Sequence, residues 1–231
     1  MKLSLVIPCY NEAENLPLLL KRCAEFGKHD SEIILVDNGS SDDTQKILNE
    51  IILNYSFCKS IRLEENLGYG NGIIQGLKMA KGNYIGWTHA DLQTDPRDAL
   101  KVIEILKDFD DKVLIKGRRY GRPFFDTFFT ICMSIFETLL LKKIMWDINA
   151  QPTIFHRRFF SEWLNPPLDF SLDLYAYFHA KNKGYKILRF PVFFGPRIFG
   201  ESKWNFVLQS RFKFIKRTVD YSLKLRKDLI S

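Results

Sequence analysis

Three short polar clusters hold most of the residues able to do chemistry in this chain: Pro8-Cys9-Tyr10-Asn11-Glu12, Asp37-Asn38-Gly39-Ser40 and Thr88-His89-Ala90-Asp91-Leu92-Gln93. A carboxylate such as Asp37 only accepts hydrogen bonds, which suits it to ribose hydroxyls or the N–H of a base, the alternative being a helix cap. Asp91 and Gln93 stand two apart. On an extended chain both side chains point the same way and offer hard oxygens suited to Mg²⁺ or Mn²⁺, the alternative being a solvated turn. Further on, Arg197, Ser202 and Lys203 set two cations and a hydroxyl around Gly200, a group that can grip a phosphate or line a solvated loop. Gly200-Glu201-Ser202-Lys203-Trp204 is no hydrolase elbow, because Trp204 stands where the last glycine belongs.

These clusters need elements to position them. Short β-branched runs at Leu3–Ile7, Ile33–Val36, Ser60–Leu63, Tyr84–Trp87 and Val113–Ile115 read as strands. Helical periodicity fills the intervals at Leu16–Phe26, Asp42–Leu53, Gly72–Ala80 and Pro96–Lys107, and Ser40 before Asp42 and Asp43 reads as an N-cap with an acidic first turn. Such alternation predicts βαβ units and a parallel sheet covered on both faces, whose ligands bind beyond the carboxyl ends of the strands. All three polar clusters follow strands. A dinucleotide-binding turn is excluded, since Pro-x-Tyr-Asn-Glu occupies the place of G-x-G-x-x-G. Gly68-Tyr69-Gly70-Asn71-Gly72 has Ile73 where the third glycine belongs and reads at minimum as a flexible helix entry.

After Val113 the rhythm changes. Residues 123–146 are aromatic-rich and amphipathic, 147–156 an irregular polar piece, 157–182 two helices, Lys186–Phe194 a strand, and 204–227 a basic aromatic helix. From Lys203 to Lys227 that helix has eight basic residues against one acid, Asp220, a pattern for an anionic membrane interface or for a docked helix with a solvated face. The stretch Phe124–Trp146 suits a second interfacial helix, an acyl-chain groove or core; charges at Asp126, Glu137, Lys142 and Lys143 argue against a transmembrane helix.

Composition narrows the classes. With 231 residues, 46% hydrophobic and 26% charged, the chain is globular, neither disordered nor collagen-like nor a coiled coil. Its net charge of +7 is polarised: residues 1–100 carry 10 basic and 14 acidic groups, the remainder 24 and 13. The second half therefore faces something anionic. No nucleic-acid motif accompanies that charge. Cys9, Cys23, Cys58 and Cys132 form no C-x-x-C pair, so reduced thiols are expected. The opening apolar run is too short for a signal-peptide core, which points to the cytoplasm.

Pro8-x-Tyr10-Asn11-Glu12, Val36-Asp37-Asn38-Gly39-Ser40-Ser41-Asp42, Asn66-x-Gly68 and Ala90-Asp91-Leu92-Gln93 together resemble the motif series of family 2 inverting glycosyltransferases of GT-A fold. Gly117-Arg118-Arg119-Tyr120, Asp147-x-Asn149, Asp173-Leu174 and Arg197-x-x-Gly200-x-Ser202-Lys203 resemble the branch containing dolichyl-phosphate mannosyltransferase and bacterial polyprenyl-phosphate glycosyltransferases. The match spans about residues 3–204.

That resemblance implies an α/β GT-A fold: a Rossmann-like, mostly parallel sheet with helices on both faces, spanning 1–203, plus a basic amphipathic helix at 204–231 on a membrane interface. It implies a nucleoside diphosphate sugar held by Pro8, Tyr10, Glu12, Asp37, Asn66, Gly68 and Asp91. It implies Mg²⁺ or Mn²⁺ on Asp91 and Gln93, with His89 standing where the branch carries an aspartate and either ligating or leaving coordination to the other two. Arg119 becomes a diphosphate contact, Asp173 an acidic residue near the acceptor or a first-turn acid, and Arg197, Ser202 and Lys203 the grip on a polyprenyl phosphate. The implied setting is the inner membrane face, with peripheral contact through 204–227 and 124–146. Two other readings stay open: transfer to a sugar hydroxyl of a growing glycan with Asp173 as base, and an inert nucleotide-sugar-binding or scaffold protein.

Overall fold

The computed structural model describes residues 2–106, 109, 111–199 and 208–227, the side chains of 208–214 excepted. Seven strands form one sheet: β1 Leu3–Cys9, β2 Ser31–Asn38, β3 Cys58–Leu63, β4 Tyr84–Trp87, β5 Val113–Tyr120, β6 Thr153–His156 and β7 Lys186–Phe193. Their order is β3-β2-β1-β4-β6-β5-β7. Pairings among β1 to β4 are parallel, β6 runs antiparallel between β4 and β5, and β7 returns parallel to β5. The predicted parallel half is present. The predicted irregular piece 147–156 is corrected, because its end is the strand β6, paired on both sides between β4 and β5. Its polar neighbours satisfy one another, so polarity there does not mean exposure.

Helices cover both faces. Leu16, Leu19 and Leu20 of α1 (Leu16–Cys23), Leu48 of α2 (Thr44–Ile51) and Ala99 and Val102 of α4 (Asp98–Ile105) pack on one side with Leu5, Ile7, Ile33 and Leu35. Ile73 and Leu77 of α3 (Tyr69–Met79), Phe159 of α6 (Arg157–Ser161) and Leu172 to Phe178 of α7 (Leu172–Asn182) pack on the other with Val6, Val36, Trp87 and Leu114. Each alternating strand residue thus reaches one of two cores, which is why β1 and β2 read as continuous apolar runs. The predicted Ser40 cap is corrected: α2 starts at Thr44, whose N–H bonds Asp42 Oδ1 at 3.0 Å, while Ser40 Oγ accepts from Asn11 N–H at 3.0 Å.

Two helices lie against each other outside this sandwich: α5 (Phe124–Leu141) and α8 (Leu208–Lys227). Leu141 of α5 and Leu225 of α8 join the second core. The rest of α5 leaves Phe124, Phe125, Phe128, Ile135 and Leu139 exposed. Against the expectation of no spanning segment, α5 is long and apolar enough to cross a membrane by length and composition alone. Residues 204–207 of the predicted basic helix lie outside the described residues. All four cysteines are free, three of them buried.

Candidate active site

The turns after β1 and β2 are bonded to one another. Asn11 adopts φ 56°, and its side-chain Oδ1 accepts the Ser41 N–H at 2.9 Å. Glu12 N–H donates to Thr44 Oγ1 at 2.9 Å, and Ala13 N–H to Asp42 Oδ2 at 3.2 Å. Asp37 at the end of β2 is wholly buried: Oδ1 accepts the Ser40 N–H at 2.9 Å, and Oδ2 the Arg62 Nη1 at 3.0 Å. Arg62 was missed by the sequence reading; it pairs with Asp37 in the β2–β3 register and also donates to Ser40 O. Burial, opposed by the Asn15 amide and reinforced by Asp91, pushes Glu12 up to about 7.

Asn66 and Gly68 brace this rim. Asn38 Nδ2 donates to Asn66 Oδ1 at 3.2 Å and to Gly68 O at 2.9 Å. Gly68 holds φ 119° against the carbonyl of Leu168, and a Cβ on Gly70 would come within 2.6 Å of Pro167 O. Glycine is required because the backbone of the 167–169 loop crosses the start of α3 at contact distance.

The segment after β4 is not extended. Leu92 adopts φ 59°, so Asp91 and Gln93 do not share a face by strand alternation; instead Gln93 N–H folds back to Asp91 Oδ1 at 3.2 Å. That turn is closed by the Gln93 backbone, and the two side chains bond to different residues of the loop after β7. Asp91 is nearly buried, and its Oδ2 accepts from Arg197 Nη2 at 3.1 Å. Gln93 Nε2 donates to Gly195 O at 3.1 Å. His89 stacks on Tyr69 at 5.6 Å between ring centroids, and Tyr69 on Phe170 at 4.4 Å. Among the described residues no three of His, Cys, Asp and Glu gather into a metal cage. A carboxylate, an amide oxygen and an imidazole nonetheless fit a partial donor set for Mn²⁺, completed by ligands from outside the chain.

The cationic side of the site is built on β5 and β7. Arg119 donates from Nε to Asp147 Oδ1 at 2.9 Å and from its backbone N–H to Oδ2 at 3.1 Å, with a second guanidinium contact to Oδ1. Burial alone would raise Asp147, but Arg119 outweighs it and holds the carboxyl below its usual range. Arg119 and Arg122 each lie 5.3 Å from the Phe194 ring centre. Burial and the neighbouring Arg119 push Arg122 down to about 10, and its Nη1 donates to Thr130 Oγ1 on α5 at 2.6 Å.

Behind these lies Asp173, 1% exposed, in the first turn of α7. Its Oδ1 accepts from Gln151 Nε2 at 2.7 Å and stands 3.7 Å from Lys116 Nζ. Lys116 and Gln151 were also missed, although a lysine directly after the apolar run Val113-Leu114-Ile115 was a visible signal. Ser202 and Lys203 lie outside the described residues. Of the expected site residues, Glu12, Asp91 and Arg197 are close enough for their charges to act on one another, whereas Arg119 is tied to Asp147 and Asp173 is buried against Gln151 and Lys116.

The chain is 29% identical over 215 residues to the undecaprenyl-phosphate 4-deoxy-4-formamido-L-arabinose transferase of Klebsiella pneumoniae (strain 342), and 30% identical over 215 residues to that of Enterobacter sp. (strain 638). Each match covers 89% of this chain and 63% of the relative, so the chain spans less than two thirds of their length. Glucosyl-3-phosphoglycerate synthase from Mycobacterium tuberculosis, solved with UDP, superimposes with a TM-score of 0.75 at 16% identity, over 98% of this chain and 80% of that one. A mannosyltransferase from Pyrobaculum calidifontis, solved with GDP-Man and Mn²⁺, gives a TM-score of 0.65 at 18% identity, over 87% of this chain and 58% of that one. Those likenesses establish a GT-A fold with a seven-stranded mixed sheet. The profile of glycosyl transferase family 2 matches residues 4–163, and the chain belongs to that family.

Proposed function

We propose that the chain is a metal-dependent inverting glycosyltransferase that moves a sugar from a nucleoside diphosphate sugar to a polyprenyl phosphate, working peripherally at the cytoplasmic face of a membrane. The observation that carries this reading is one hydrogen bond, Arg122 Nη1 to Thr130 Oγ1 at 2.6 Å. It joins a cluster of arginines at the sheet edge to the root of a helix whose phenylalanines are exposed. Positive charge beside apolar surface suits a phosphate carrying a hydrocarbon chain. The relatives are named undecaprenyl-phosphate transferases, which favours the same acceptor class.

On this reading Tyr10 stacks on the base and Glu12 accepts from the ribose hydroxyls, while Asp37, buried with its oxygens on the Ser40 N–H and Arg62, holds the turn that lines that pocket. Asn66 and Gly68 keep that pocket in shape through Asn38. Asp91 and Gln93, with His89 beside them, hold Mn²⁺ or Mg²⁺, which when bound offsets the charge of the departing diphosphate. Arg119, fixed by Asp147, presents charge to phosphate oxygens without having to reorganise. A lipid phosphate is already an anion at pH 7, so it needs placement behind the anomeric carbon and no base. That fits Asp173, whose carboxylate is occupied by Gln151 and Lys116 and positions them. Arg197, with Ser202 and Lys203 after it in sequence, completes the phosphate grip, and 1–203 acts as the transferase unit with 204–231 as its interfacial helix.

The test is incubation of the full chain with a panel of nucleotide sugars, Mn²⁺ or Mg²⁺ and undecaprenyl phosphate. Release of nucleoside diphosphate together with a solvent-extractable lipid-linked sugar is the expected result. Turnover only with oligosaccharide acceptors would return the hydroxyl-acceptor reading, and no turnover under any combination would leave an inert binding protein.

A further inference from the structure

The loop that follows β7 is strapped across the Asp91–Gln93 turn at three points. Gly195 N–H donates to Gln93 O at 2.8 Å, Gln93 Nε2 donates to Gly195 O at 3.1 Å, and Arg197 Nη2 donates to Asp91 Oδ2 at 3.1 Å. The two backbone-anchored bonds fix where Arg197 begins, so its guanidinium lies over one carboxylate oxygen by construction. Asp91 has no other cation within ion-pair distance among the described residues. A nearly buried carboxylate left unpaired is costly, and here an arginine from a distant part of the chain supplies the balancing charge.

The pairing is incomplete from the arginine's side. Arg197 Nε is buried and has no hydrogen-bond partner among the described residues. Among the described residues Arg197 therefore keeps one donor unmatched where it sits. Glu12 is also within electrostatic reach of both groups, lifted by Asp91 and lowered by Arg197. The site thus holds two acids and one internal cation at the place where the proposed function puts a divalent ion.

We propose that Arg197 is the resident counter-cation of Asp91: it neutralises the carboxylate in the metal-free protein and a divalent cation must displace it, so this competition sets metal affinity. The proposal rests on the reading that Asp91 anchors the metal. A metal ion at Asp91 and a guanidinium on the same carboxylate repel each other at close range in a partly desolvated site. The released guanidinium, whose Nε lacks a partner among the described residues, is then free to donate to a phosphate oxygen.

The experiment is Mn²⁺ binding by the full chain without nucleotide, followed by the loss of the free-Mn²⁺ electron paramagnetic resonance signal, with thermal melts in parallel. Arg197→Met is expected to bind Mn²⁺ about three- to tenfold tighter than the unmodified protein, the range for removing a partly exposed pairing. Its metal-free melting temperature should fall and its rise on adding Mn²⁺ should be larger. Arg197→Lys, which keeps the charge on a shorter reach, is expected to lie between the two and serves if Arg197→Met does not fold. Asp91→Asn should lose binding in either background. If Asp91→Asn loses Mn²⁺ yet both Arg197 variants bind no tighter than the unmodified chain, the competition is refuted while the metal reading stands. If Asp91→Asn binds Mn²⁺ undiminished, the anchor itself is misassigned and the inference goes with it.

Discussion

Lys116 Nζ and Asp173 Oδ1 stand 3.7 Å apart with neither side chain reaching solvent. Lys116 also donates to Thr153 Oγ1 at 2.6 Å, and its Nζ lies 5.9 Å from the Tyr177 ring centre. Burial pushes its pKa down to about 8, with Asp173 opposing that fall. The pair is what remains of charge after both groups have left water, so breaking it strands one ion. Lys116→Met should cost about 3–5 kcal/mol in urea unfolding. The double variant Lys116→Met/Asp173→Asn should recover part of that loss, giving a coupling of about 1–3 kcal/mol. Additive losses would mean the two groups do not act as a pair.

Asp173 separates the acceptor chemistries as well. With a lipid phosphate as acceptor no proton has to be removed, and Asp173→Asn should keep turnover within about tenfold of the unmodified enzyme under saturating donor. With a hydroxyl acceptor the same change should cost about 10²–10⁴-fold in kcat while donor binding by thermal shift survives.

The parallel half of the sheet was legible because β1 and β2 are buried on both sides and their residues say so. β6 was not. Its approach contains Asp147, Asn149 and Gln151, polar residues that look like loop until Arg119 is seen on Asp147 and Asp173 on Gln151. Partners so far apart in the chain leave no local trace. The left-handed Leu92 is a second case: nothing in Asp91-Leu92-Gln93 announces that the chain turns there, so the two ligand candidates were expected to share a strand face and in fact flank a turn. Arg62 is a third, since its role depends on the β2–β3 register that places it opposite Asp37.

Arg119 owes its place to Asp147, which grips both the guanidinium and the backbone N–H from a left-handed conformation at φ 42°. Asp147→Ala should therefore release the guanidinium without removing it. A displacement of about 1 Å in a positioning group costs about 10²-fold in rate. The loss should fall mainly on kcat/KM for the phosphate-bearing substrates, measured by nucleoside diphosphate release. Arg119→Lys, which cannot form the two-pronged contact, should lose a comparable amount.

The apolar face of α5 makes its own forecast for membrane contact. Phe125 and Leu139 are 81% and 75% exposed, so replacing both with serine should alter folding stability by no more than about 0.5 kcal/mol per site. Binding to vesicles containing anionic lipid should weaken about tenfold or more, since each side chain contributes up to about 1.5–3 kcal/mol when buried in a hydrocarbon layer. Sedimentation with vesicles measures it. Unchanged binding would move the contact away from α5.

Glu137 of α5 gives the junction with α8 a pH dependence of known sign. Its Oε1 lies 2.6 Å from Ser222 Oγ, and the same hydroxyl lies 2.7 Å from Thr218 O. One hydroxyl proton cannot serve two acceptors. Both contacts are satisfied together only when Glu137 carries a proton and donates to Ser222, which in turn donates to Thr218. Burial pushes Glu137 up to about 7, in the same direction. Because the folded form holds the proton more tightly than the unfolded one, this group's contribution is fully present below about pH 4.5 and is lost as pH rises through about 7. Glu137→Gln keeps a donor toward Ser222 at every pH. It should match the unmodified protein near pH 5 and exceed it at pH 8 by up to about 3 kcal/mol in urea unfolding. Glu12 tilts the absolute curve the same way, so the difference between the two proteins is the quantity to read. A difference that stays constant from pH 5 to pH 8 would show that Glu137 is charged throughout.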